Sequence, residues 1–124
     1  MAYLLGIIPI PDPLKAKSRP NDLKWRLDWG EPALTIIDAR DRASFHACHI
    51  TGALSMPAEE IVGQARHHLE FERDIYVYAH TDGETEDVAK QLRSAGFRNV
   101  AELRGGVAAW QAFGYPIERG VVAA

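Results

Sequence analysis

The sequence predicts an α/β fold, a mostly parallel sheet of about five strands with helices on both faces, and two patterns carry that expectation. Short β-branched apolar runs recur along the chain, and a segment of helical periodicity lies between the last two of them. The runs are Ala33 to Asp38, Ile75 to Tyr78 and, less apolar, Asn99 to Leu103. Each is short enough for a buried strand and rich in the residue types that fit a pleated surface. Between the second and third, Thr85 to Ala95 places Val88, Ala89, Leu92 and Ala95 at helical spacing, and Gly96 closes the segment. Strand, loop, helix and strand make a βαβ unit, whose crossover joins parallel neighbours with right-handed sense.

Taken in order, the chain opens on an apolar stretch, Tyr3 to Ile8, with no Lys or Arg before it and with Pro9, Pro11 and Pro13 after it. That pattern does not match a secretory leader and reads as extended chain packed on the domain. Four prolines between Pro9 and Pro20 make residues 1–20 a proline-rich arm. A single domain is expected over residues 21–118, with a tail at 119–124. Asn21 is the expected N-cap of a first helix that buries Leu23 and Leu27 and stops at Gly30. Trp25 and Trp29 form a second i,i+4 pair on another face, expected to pack on the arm or the core. Ala58 to Leu69 and Gly106 to Ala112 complete the expected helices, and Tyr76 and Tyr78 should share one face of their strand.

Composition narrows the class of function. The 124 residues carry 47% hydrophobic and 25% charged side chains, values ordinary for one globular domain. A net charge of -3, from 14 basic and 17 acidic residues, offers no footprint for a nucleic acid or an anionic membrane. No stretch reaches the roughly 20 apolar residues that span a bilayer, so the expected location is the cytoplasm. The lone cysteine, Cys48, excludes an internal disulfide and a multi-cysteine metal centre.

In an open parallel sheet, ligands bind beyond the carboxyl ends of the strands, where loops enter helix N-termini. This directs attention to Ala79-His80-Thr81-Asp82-Gly83-Glu84, which leaves the strand ending at Tyr78. Two ordered fingerprints place that loop in context. The first is Asp38-Ala39-Arg40 followed by His49-Ile50-Thr51-Gly52-Ala53 and Pro57; the second is Leu103-Arg104-Gly105-Gly106 with Trp110, Gly114 and Pro116. Together they make residues 22 to 117 resemble the rhodanese-like family. The resemblance implies a single-domain module of sulfurtransferase type, in which a cysteine opening a six-residue loop carries sulfur as a persulfide.

Here the position of that cysteine holds Ala79. Alanine has no atom that can attack sulfur, and no neighbour can create a thiolate that is absent. The other departures from the family loop all lower positive charge: His80 replaces a common Arg, Asp82 a Gly, and Glu84 an Arg or Thr. From Ala79 through Ala89 there are four acids and no Lys or Arg. Such a mouth repels an oxyanion, while acids in a first helical turn favour the dipole. Two readings follow: the chain's own carboxylates take the electrostatic role that an anionic substrate plays in active relatives, or a loop released from catalysis has drifted toward good helix N-terminal residues.

Rival sites are weaker. His46, Cys48 and His49 form a His-x-Cys-His arrangement, but the resemblance puts Cys48 on a segment leading to a different strand. Adjacent His67 and His68 cannot face the same way on a helix, so no metal site is expected. Asp38, Arg40 and His49 are expected to hold the fold together, with Gly52 in the same fingerprint. Gly105 and Gly106 should allow a tight turn, and Trp110 should cover the sheet. The expectation is a catalytically inactive module that binds a protein partner or a small ligand and needs no cofactor. The alternative is a thiol-dependent enzyme whose thiol has moved to Cys48; a third option is a structural partner in a larger complex, with the arm, Trp25 and Trp29 as contacts.

Overall fold

A computed structural model describes residues 14–30 and 33–120 with their side chains, and the backbone of residues 2–4 and 8–10. Strands β1 (Ala2–Leu4) and β2 (Ile8–Ile10) pair antiparallel as a small sheet of their own. The remaining arm residues up to 13, and tail residues 121–124, lie outside the described residues. The next elements are β3 (Lys17–Ser18), α1 (Pro20–Asp28), β4 (Leu34–Asp38), α2 (Arg42–Ala47), β5 (His49–Ile50) and β6 (Leu54–Ser55). Then come α3 (Ile61–His68), β7 (Asp74–Tyr78), α4 (Asp82–Ser94), β8 (Asn99–Leu103), α5 (Gly106–Ala112) and β9 (Ile117–Glu118).

The central sheet has five strands in the order β3-β8-β7-β4-β6, all parallel. This is the predicted α/β architecture. Strand alternation sends Ile37, Ile75, Val77 and Val100 to one face, where they pack on Ile61 and Ala65 of α3 and Val88, Ala89 and Leu92 of α4. Ile36, Tyr76, Tyr78, Ala101 and Leu103 face the other way, onto Leu23 of α1 and Trp110 of α5. Each face is thus sealed by helices, as a wholly parallel sheet requires.

Four local expectations are corrected. Helix α1 begins at Pro20 rather than after Asn21: proline is preorganised for a first helical position, and the Asp22 carboxylate accepts the Arg19 N–H at 2.9 Å. Lys17 and Ser18 pair with Glu102 and Leu103, so the end of the proline-rich lead-in is an edge strand of the main sheet. Trp25 and Trp29 do not share the burial of Leu23: Trp29 is 60% exposed and Trp25 is 36% exposed, their rings 5.4 Å apart. The expected helix from Ala58 is shorter, starting at Ile61 after a turn whose Glu60 N–H donates to Pro57 O. Among the described residues, no helix is long and apolar enough to cross a membrane.

Candidate functional site

The carboxyl ends of β4, β7 and β8 bring together the segments that both fingerprints span. Strand β7 ends at the buried Tyr78 and runs directly into Ala79, which is itself buried. The six-residue loop expected to precede a helix at Thr85 is three residues long. Helix α4 starts at Asp82, so Asp82, Gly83 and Glu84 are its first turn. Thr81 is the N-cap: its Oγ1 accepts the Glu84 N–H at 3.1 Å. The Thr81-x-x-Glu84 spacing is a helix-start signal that locates this boundary from sequence.

Thr85, 1% exposed, ties the loop down from inside. Its Oγ1 accepts the Ala79 N–H at 2.8 Å and donates to Thr81 O at 2.9 Å. The Ala79 N–H at the head of the loop therefore already has a partner. Above it, Gly105 and Gly106 adopt left-handed φ of 80° and 54°. A Cβ on Gly106 would lie 3.3 Å from Ala79 O, and one on Gly105 would overlap Ala109 Cβ. The pair of glycines lets the turn before α5 sit close on the loop.

Asp82 joins the two sides. Its Oδ1 accepts the Gly105 N–H at 2.9 Å, and its Oδ2 lies 3.4 Å from Arg104 Nε. Arg104, directly after β8, supplies the cation that the loop lacks, which the local run of acids does not reveal. Beneath it, Glu102 is 2% exposed and stands 3.8 Å from Arg104 Nη1 and 3.7 Å from Arg93 Nη1. On the opposite rim, His80 Nε2 meets Asp41 Oδ2 at 3.1 Å. Asp41 also caps α2, its Oδ1 accepting the Ser44 N–H at 2.8 Å. That backbone hydrogen bond first, and then the His80 contact, hold the Asp41 carboxyl well below the usual carboxylate range.

The fingerprint residues form a buried scaffold beside this mouth. Asp38 is fully buried and takes Arg40 Nε at 3.1 Å, Arg40 Nη2 at 2.8 Å and the Arg40 backbone N–H at 2.9 Å. Burial opposes the Arg40 charge, but hydrogen bonding to Asp38 and its attraction outweigh burial and raise the pKa further. Burial, and then the Asp38 charge, push the Tyr78 hydroxyl upward, so it stays protonated; its oxygen accepts the Ile50 N–H at 3.2 Å. Arg40 also donates to Cys48 O, which fixes the corner between α2 and β5.

Cys48 lies at that corner, partly buried, with its Sγ 4.0 Å from Gln111 Oε1 of α5. His49 turns inward, stacked on Phe45 at 3.7 Å, with Nδ1 2.7 Å from Phe45 O and Nε2 3.3 Å from Glu118 Oε2. His46 is exposed, and His67 and His68 meet edge-on at 4.8 Å. Among the described residues no group of three or more metal-ligating side chains converges. The Gly52 N–H donates to Glu118 Oε1 at 3.3 Å, and Trp110 Nε1 donates to Pro116 O at 2.7 Å, so β9 is strapped onto β5.

A five-stranded parallel sheet with a short β7 to α4 loop at its carboxyl edge defines a fold shared with sulfur-transferring proteins. Residues 19–113 match the model of the rhodanese-like domain, and the chain belongs to that family. Among solved structures, the rhodanese-like Alr3790 protein from Anabaena sp. superposes with a TM-score of 0.82 at 51% identity, covering 85% of this chain and 94% of that one. Thiosulfate sulfurtransferase GlpE of Tolumonas auensis is 29% identical over 64% of this chain and 74% of its own length. The probable adenylyltransferase/sulfurtransferase MoeZ of Mycobacterium tuberculosis is 32% identical over 73% of this chain, which spans only 23% of MoeZ. The chain is thus a rhodanese-like domain related to sulfurtransferases.

Proposed function

We propose that this chain is a catalytically inactive rhodanese-like module that acts by binding a protein partner or a small ligand, in a regulatory or scaffolding role in the cytoplasm. The observation that carries this is Ala79: a side chain without a reactive atom opens the loop, and its N–H is held by Thr85. Asp82 adds support. Its carboxylate takes the Gly105 N–H and pairs with Arg104, the groups an arriving oxyanion would otherwise meet. The degenerate loop from Ala79 to Glu84 is the surface through which a ligand would be recognised. Asp38, Arg40, His49, Gly52, Gly105, Gly106 and Trp110 hold that surface in place, within a domain spanning residues 21–118.

The competing enzyme reading places the reactive thiol at Cys48. Against it, the Cys48 side chain faces Gln111 and its carbonyl anchors Arg40. Thiosulfate:cyanide sulfurtransferase turnover, measured on the whole chain and on Cys48→Ser, tests both readings. The expected result is no turnover from either protein. Turnover by the parent chain that disappears in Cys48→Ser would replace the binding module with an enzyme.

A further inference from the structure

We draw no further inference here: the strongest candidate, the exposed aromatic pair Trp25 and Trp29 at the C-terminal end of α1, is an apolar patch without a partner among the described residues, and nothing in the structure shows what covers it.

Discussion

Restoring a thiol at the head of the loop should not by itself restore sulfur transfer, and the geometry around Asp82 says by how much it should fall short. An anionic donor approaching Ala79→Cys meets a mouth whose Gly105 N–H is taken at 2.9 Å and whose Arg104 is paired with the same carboxylate. A hydrogen bond to a charged group nets about 1.5–3 kcal/mol, which the donor must displace. At about 1.4 kcal/mol per factor of ten, that contact alone is worth on the order of 10- to 100-fold in kcat/KM. The triple variant Ala79→Cys, Asp82→Gly, Glu84→Arg frees those donors and replaces a repelling charge with an attracting one. Thiosulfate:cyanide turnover across the single and triple variants measures the difference directly. Thermal denaturation of both serves as the control, since the Thr81 cap of α4 is retained in each. Equal activity in the two variants would refute the electrostatic reasoning, leaving the missing thiol as the whole explanation.

Three further outcomes follow from the scaffold. Asp38→Ala strands the Arg40 guanidinium, itself only 9% exposed, and should cost about 3–5 kcal/mol in urea denaturation; a loss under about 1 kcal/mol would show that the ion pair does not organise the corner. Gly105→Ala puts a Cβ on a left-handed residue and into Ala109 Cβ, and should lower stability by about 2–4 kcal/mol, strain and overpacking together. Unchanged stability would mean that the turn before α5 relaxes freely. For Asp41, a folded pKa below the unfolded one makes its contribution complete above about pH 4, the unfolded value, and progressively lost as pH falls toward the folded value. Stability in urea should therefore drop less between pH 5 and pH 2.5 in Asp41→Asn than in the parent chain, and equal drops would exclude this carboxylate as a source of the acid sensitivity.

Much of the architecture was legible along the chain because its signals are local. The strands ending at Asp38 and Tyr78 announce themselves by short runs rich in apolar and β-branched residues, the one ending at Leu103 more faintly because Glu102 interrupts it, and α5 falls at Gly106–Ala112 as its spacing predicts. Short elements escaped for the same reason. Strands β5, β6 and β9 are two residues each, too brief to show periodicity, and α2 is a six-residue helix signalled only by Asp41 and Ser44. The start of α4 was misplaced by three residues because apolar spacing begins at Thr85 while the capping residues lie earlier. Trp29 shows the limit of residue type as a guide to burial: its fate depends on which face of α1 meets the sheet.

The sequence by itself determined the chemistry that is missing. Ala79 is an alanine in any conformation, and a side chain without a nucleophilic atom excludes a persulfide there before any coordinate is known. Tertiary structure alone decided what fills the space around it. Arg104 and Gly105 are 22 and 23 positions from Asp82, and only the crossover from β7 through α4 to β8 brings them into contact across the mouth. Charge counted along one loop misses partners delivered by another strand, because electrostatic pairing follows distance in space while the sequence records only distance along the chain.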